Sequence, residues 1–133
     1  MPLTTEFHAP LQTVLVVEDQ AFLRFMTMDM IEDWGFATVG AATSAEALAL
    51  LESRPDISLV FSDVDMPGSM DGMAMAAHLG RARRAVSVIL TSGKMPDRGV
   101  ELPARSAFLP KPYLVEDVAR LLRQMCPGNS LPA

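Results

Sequence analysis

Short apolar runs recur along the chain, and several of them end abruptly on acidic or small polar residues. Five runs have the length and the β-branched or aromatic content of buried strands, at positions 13–17, 38–41, 57–62, 86–90 and 107–109. The first, third and fourth are nearly continuous in their apolar character instead of alternating, which is typical of parallel strands covered on both faces. The pattern therefore predicts a parallel sheet at the centre of the fold.

Segments with helical periodicity lie between these strands. The spacing of apolar residues predicts helices over 21–34, 43–52, 73–79 and 115–125. The second begins at a capping box, Thr-Ser-Ala-Glu, and the first is followed by a glycine that is typical of a helix end. Strands that alternate with helices in this way predict an α/β fold, doubly wound around one five-stranded parallel sheet.

The first helix carries more apolar residues than one buried face requires. We assign its inward-facing stripe to five residues: Leu23, Met26, Met30, Ile31 and Trp34. Phe22, Phe25 and Met28 fall outside that stripe, so we expect them to be partly exposed.

The segment 94–106 differs from the other connections because Pro96, Gly99 and Pro103 interrupt it. These residues leave room for at most a short or distorted helix. Residues 1–11 are expected to form a flexible N-terminal arm, 12–126 a single domain, and 127–133 a frayed tail.

Composition narrows the class of protein. The chain has 133 residues, of which 50% are apolar, enough for one well-filled core. With 11 basic and 16 acidic residues, a net charge of -5 argues against general binding to nucleic acid or to an anionic membrane. A single cysteine, no apolar run near the ~20 residues of a membrane span, and no secretory signal together favour the cytoplasm.

Polar side chains follow the predicted strands at their carboxyl ends. Glu18 and Asp19 follow the first strand, Asp63 the third, Thr91 the fourth and Lys111 the fifth. Because parallel strands end at one edge of a sheet, these side chains should converge. Two carboxylates about 4 Å apart repel by about 4 kcal/mol at an effective dielectric of about 20, so the acids predict a hard divalent cation, Mg²⁺. Beside such an ion, one carboxylate can act as a nucleophile toward phosphorus.

Four motifs now add up to a family resemblance. They are Val-Leu-Val-Val-Glu-Asp at 14–19, Asp-Val-Asp-Met-Pro-Gly with Met-Asp-Gly at 63–72, Leu-Thr-Ser-Gly at 90–93 and Phe-Leu-Pro-Lys-Pro at 108–112. Together, over roughly residues 12–126, they resemble the receiver domain of two-component response regulators, and we expect a domain of the stand-alone type. The resemblance implies the flavodoxin-like strand order 2-1-3-4-5.

The resemblance also implies a role for each acid. Asp63 would accept a phosphoryl group from a phosphohistidine on a sensor kinase or a histidine phosphotransfer protein. Glu18 and Asp19 would bind Mg²⁺ with Asp63, and the backbone carbonyl of Asp65 would complete the protein ligands.

Further roles are implied at the fourth and fifth strands. Lys111 would pair with the phosphoryl group, and its peptide bond to Pro112 would be cis. Thr91 and Phe108 match the switch pair of such domains, so phosphorylation would bias a two-state protein-binding surface instead of completing a metabolic reaction. In this interpretation, Phe22, Phe25 and Met28 form part of a surface that docks the kinase's helical histidine domain.

Two alternatives remain open at this point. The pair Asp63 and Asp65 also resembles aspartate-nucleophile phosphatases of the haloacid dehalogenase-like class, although that class carries the pair on its first strand. A receiver-like interaction module that is not phosphorylated is the other alternative.

Overall fold

The computed structural model describes residues 12–68, 70–82, 85–94 and 102–126. The predicted N-terminal arm, the predicted tail and most of the proline-interrupted segment lie outside the described residues. None of the described helices combines the length and apolar composition that crossing a membrane requires.

Five parallel strands form one sheet in the order β2-β1-β3-β4-β5, which confirms the predicted topology. The strands are β1 (Thr13–Val17), β2 (Ala37–Ala41), β3 (Ile57–Asp63), β4 (Ser87–Ser92) and β5 (Ser106–Pro110). Strand β4 runs two residues beyond its predicted end, because Thr91 and Ser92 pair with Leu109 and Pro110 of β5. Thr91 is therefore a buried strand residue and not part of a turn.

Four helices cover the sheet: α1 (Ala21–Asp33), α2 (Ser44–Ser53), α3 (Gly72–Gly80) and α4 (Val115–Met125). Their ends follow the predicted signals. The hydroxyl of Thr43 accepts the N–H of Glu46, and the Glu46 carboxylate accepts the N–H of Ala42, one residue before the cap. Gly35, at φ 94°, takes the left-handed conformation that ends α1.

The core is divided by the sheet into two apolar clusters, and the alternation of β1 shows the division. Leu15 and Val17 pack with α2 and α3, whereas Val14 and Val16 pack with α1 and α4. Each of these four side chains is at most 1% exposed, and full burial of such a side chain contributes about 1.5–3 kcal/mol.

The predicted inward stripe of α1 is wrong at two positions. Leu23 is 39% exposed and Met26 is 54% exposed, while Met28, predicted to lie outside the stripe, is half-buried and packs against the core. Helix α1 begins shortly after β1 ends, and the apolar side chains of α1 that pack into the core come from its second half: Met28, Met30 and Ile31.

Candidate functional site

Asp63 and Lys111 meet at the carboxyl edge of the sheet. The Lys111 Nζ atom lies 2.9 Å from Asp63 Oδ1 and 3.0 Å from Oδ2. The Asp63 side chain is 14% exposed, and the backbone N–H of Lys111 donates to the Ser92 carbonyl at 2.8 Å. The Lys111–Pro112 peptide bond is cis, as predicted.

Thr91 lies beside Asp63 in the sheet, in register with it across β3 and β4. Its hydroxyl is 3.5 Å from Asp63 Oδ1, a long hydrogen bond, and the residue is 3% exposed. The N–H of Val64 donates to the Thr91 carbonyl at 2.9 Å, so the ladder continues to the end of β3. The hydroxyl is thus held within reach of groups attached to the Asp63 carboxylate.

Glu18 is the most perturbed acid at this edge. Burial raises the pKa of Glu18 to about 7, and hydrogen bonds that its protonated form makes with the carboxylates of Asp63 and Asp19 add to this effect. The backbone N–H of Gln20, 3.0 Å from Glu18 Oε2, acts in the opposite direction. Asp63 and Asp19 are therefore both neighbours of Glu18, with Glu18 buried and Asp19 exposed.

Lys111 keeps its charge in this setting. Partial burial opposes the ammonium charge, but the hydrogen bonds and the negative charge of Asp63, with that of Glu18, outweigh it and raise the pKa of Lys111. The lysine is therefore a fixed cation at the carboxylate of Asp63 throughout the neutral range.

The remaining predicted site residues lie around this centre. The side chain of Asp65 is exposed. Phe108 is half-buried and packs against the core cluster on the α2 and α3 side of the sheet. Phe22 and Phe25 lie on the exposed first half of α1, at 74% and 59% exposure.

Sequence reasoning assigned no role to Gly72, which contacts the site directly. Its N–H donates to the Val64 carbonyl at 2.8 Å, and a Cβ built on it would lie 2.1 Å from the Asp63 carbonyl oxygen. Only glycine fits this approach of α3 to the end of β3. The signal in the sequence was the glycine placed directly after the helix cap Asp71.

Sequence reasoning also missed a small cavity of about 70 Å³ beneath the carboxylates. Asp63, Lys111, Thr27 and Tyr113 contribute to its wall. The rings of Tyr113 and Phe61 pack edge to face, with their centroids 6.1 Å apart. Burial raises the pKa of the Tyr113 hydroxyl. The only signal in the sequence was an aromatic residue two positions after Lys111.

The donor atoms fit a hard cation that needs few protein ligands. Across the residues that the structure describes, no group of three or more His, Cys, Asp or Glu is arranged to hold a metal ion. Mg²⁺ commonly keeps several waters and uses only one or two carboxylates. Burial, together with the neighbouring carboxylates of Asp63 and Asp19, raises the pKa of Glu18 and so disfavours its charged form, and a bound cation would offset this.

The chain is similar in sequence to a sensor kinase and to a transcriptional regulatory protein. The chain is 32% identical over 117 residues to the sensor kinase CckA of Brucella abortus, covering 85% of this chain and 12% of CckA. It is 34% identical over 122 residues to the transcriptional regulatory protein PdtaR of Mycobacterium tuberculosis, covering 88% of this chain and 58% of PdtaR. The chain thus spans little of the first relative and just over half of the second.

A solved structure agrees in fold. A response regulator receiver protein from Pseudomonas putida superposes with a TM-score of 0.74 at 26% identity, covering 88% of this chain and 99% of that one. The family model of the response regulator receiver domain matches residues 14–123. With the parallel sheet, its strand order and the acids at its carboxyl edge, this match means that the chain belongs to the receiver domain family of two-component systems.

Proposed function

We propose that Asp63 accepts a phosphoryl group from a phosphohistidine of a sensor histidine kinase or a histidine phosphotransfer protein. The observation that carries the proposal is the Asp63 carboxylate at the end of β3, held between the Lys111 ammonium and the Thr91 hydroxyl. The carboxylate is the nucleophile that attacks phosphorus. The cation and the hydroxyl donor stabilise the negative charge that develops on the phosphoryl oxygens.

The step exchanges one phosphorus bond for another. An Asp63 oxygen forms a bond to phosphorus while the bond between phosphorus and the histidine nitrogen breaks, and the imidazole leaves with the electron pair. The negative charge then lies on the phosphoryl oxygens, and the Lys111 ammonium would donate to them instead of to the carboxylate. The Thr91 hydroxyl donates to one of those oxygens.

Glu18, Asp19 and Asp63, with the backbone carbonyl of Asp65, would hold Mg²⁺. Bound there, the ion supplies the positive charge that neutralises the carboxylates and the incoming phosphoryl group. Lys111 donates to both Asp63 oxygens, so with the ion bound the Asp63 carboxylate would serve both the lysine and the cation.

Exposed apolar side chains beside the site support a protein partner. Six large ones lie on the first half of α1 and at the start of α4: Phe22, Leu23, Phe25, Met26, Leu114 and Val115. We name this set the docking surface, and we propose that it receives the helical histidine domain of the kinase or phosphotransfer protein. Because Met28 packs against the core, Met26 takes its place in this surface.

Phosphorylation would act through the pair Thr91 and Phe108. Leu90 and Phe108 are in register on β4 and β5, so Thr91 is one residue along from the partner of Phe108. A shift of the Thr91 hydroxyl toward the phosphoryl group would free space beside β5, and the half-buried Phe108 ring would turn inward to fill it. The result would be a switched protein-binding surface in the cytoplasm, not a metabolic product.

Intact-mass measurement tests the proposal. The protein is incubated with Mg²⁺ and a small phosphodonor, and its mass is compared with that of Asp63→Asn under the same conditions. A phosphoryl adduct that is lost in Asp63→Asn supports the proposal. Steady release of phosphate from many phosphoesters would indicate an aspartate-nucleophile phosphatase, and no Asp63-dependent change would indicate an interaction module that is not phosphorylated.

A further inference from the structure

The turn after β1 is held at three points around Glu18. The Glu18 N–H donates to the Ala41 carbonyl at the end of β2 at 3.0 Å, and the Glu18 carboxylate accepts the N–H of Gln20 at 3.0 Å. Its backbone carbonyl accepts Nη1 of Arg24 at 2.8 Å. The first contact belongs to the sheet and the second to the turn. The third is a side-chain link from α1 to the turn, beside the backbone hydrogen bond from the Arg24 N–H to the Gln20 carbonyl at 2.9 Å.

Arg24 is itself restrained along its length. Its aliphatic stem lies over Gly40 of β2, where an added Cβ would be 3.0 Å from Arg24 Cδ and 3.1 Å from the sulfur of Met28. Its guanidinium carbon lies 5.3 Å from the centroid of the Phe25 ring, a cation–π distance. A planar donor held in this way loses little further freedom when it donates to a carbonyl.

The accepting carbonyl belongs to the peptide unit that joins Glu18 to Asp19. Since a peptide unit is planar, fixing its oxygen fixes the direction in which the backbone leaves Glu18 and enters Asp19. The orientation of both acidic side chains depends on that plane. On the two sides of this peptide unit, Glu18 is buried and Asp19 is exposed.

We infer that Arg24 is a positioning residue for the acidic pair, acting through the Glu18 carbonyl and assisted by Gly40. Arg24 does not itself touch the phosphoryl group or the cation in this assignment. The inference rests on the proposed function, because the property that Arg24 would govern is the affinity of Glu18 and Asp19 for Mg²⁺.

The test compares Arg24→Met with the wild-type chain by calorimetric titration with Mg²⁺. Methionine keeps an apolar stem over Gly40 but removes the donor, and loss of a group that orients metal ligands typically weakens binding 10- to 100-fold. We expect Mg²⁺ affinity to fall about 10-fold in Arg24→Met. Arg24→Lys should recover part of the loss, since an ammonium can still donate to the carbonyl.

Arg54→Met is the matched control. Arg54 pairs with Asp56 at 2.7 Å just before β3, at the opposite end of the strand from Asp63. Both variants remove one arginine and its side-chain hydrogen bonds, one at Arg24 and two at Arg54, but only the change at position 24 should weaken Mg²⁺ binding. Urea unfolding of each variant separates this effect from a general loss of stability.

Several outcomes would overturn the inference. One is wild-type Mg²⁺ affinity in folded Arg24→Met, and another is an equal loss of affinity in Arg24→Met and Arg54→Met. If Arg24→Met does not fold, Gly40→Val decides. Its Cβ would already lie 3.0 Å from Arg24 Cδ, and the two methyl groups beyond it must displace the Arg24 stem, so unchanged affinity in that folded variant would contradict the role. A wild-type chain that binds no Mg²⁺ would overturn the proposed function, and this inference with it.

Discussion

The Lys111 ammonium donates to both carboxylate oxygens of Asp63, at 2.9 and 3.0 Å, although the two residues lie 48 positions apart in the chain. The pair joins the ends of β3 and β5 across the intervening strand β4. It places a fixed positive charge where the proposed reaction develops negative charge on phosphoryl oxygens.

Replacing Lys111 with Met should slow phosphorylation of Asp63 by about 100-fold, because one preorganised donor to a developing oxyanion contributes on that order. The rate is measured by intact mass with a small phosphodonor and Mg²⁺. Lys94→Met is the control: it removes a lysine from the same edge of the sheet, and the Lys94 ammonium makes no ion pair with any described residue. Equal rates in the two variants would contradict the role of Lys111.

Thr91→Val should slow the same reaction about 10-fold, since it removes one neutral hydroxyl donor while it keeps the buried, β-branched shape. Thr91→Ser restores the hydroxyl and should recover most of the rate. The comparison uses initial rates at saturating Mg²⁺. A serine variant as slow as the valine variant would contradict the assignment of the rate loss to the hydroxyl.

Gly72→Ala should destabilise the fold by about 3 kcal/mol, because the new Cβ would lie 2.1 Å from the Asp63 carbonyl oxygen and the backbone would have to move. Urea unfolding measures the loss. Gly93→Ala is the matched control, since a Cβ there meets nothing within 4 Å, and its stability should change by less than about 0.5 kcal/mol. Similar losses in both variants would show that the contact with β3 is not the cause.

Without Mg²⁺, the stability of the protein should depend on pH through Glu18. The pKa of Glu18 is about 7 in the folded chain against an ordinary value of 4.5, so between these values the folded state binds more protons than the unfolded state. The free energy of unfolding should therefore fall as the pH rises through this range. Glu18→Gln should remove this slope and stabilise the metal-free protein at pH 8 by about 1 kcal/mol, a figure reduced for screening by water.

The free energy of unfolding, measured with urea and a chelator present at about pH 5, 6, 7 and 8, checks this slope. A free energy of unfolding in wild type that rises between the two pKa values, or a slope that persists in Glu18→Gln, would contradict the assignment.

Phe22→Asp should slow phosphotransfer from a cognate protein donor at least about 10-fold, because it places a charge in the docking surface. It should leave the reaction with a small phosphodonor unchanged. Phe22 is preferable to Phe25 for this test because the Phe25 ring also contacts Arg24. Leu102→Asp is the control, because Leu102 is an exposed leucine that precedes β5, on the side away from Lys111. Slower reaction with the small donor as well would indicate damage to the site and not to docking.

Local sequence signals were sufficient for the strands, the helices and the identity of the acids. Nearly continuous apolar runs such as 57–62 specify buried strands, because a strand with one face in water would leave half of these apolar side chains exposed. Thr43 and Asp71 specify helix starts because their side chains satisfy backbone N–H groups a few residues away. The convergence of polar groups at one edge also followed, since it depends only on the strands being parallel.

Contacts between distant elements were decided by the tertiary structure. The sequence could not indicate that Leu23 and Met26 would be exposed, because helical periodicity does not tell how far a helix extends past its sheet. Nor could it indicate that Arg24 reaches the Glu18 carbonyl across Gly40, or that Gly72 touches the end of β3. Such contacts depend on how α1 and α3 pack on the sheet, and that packing is the joint result of the whole core.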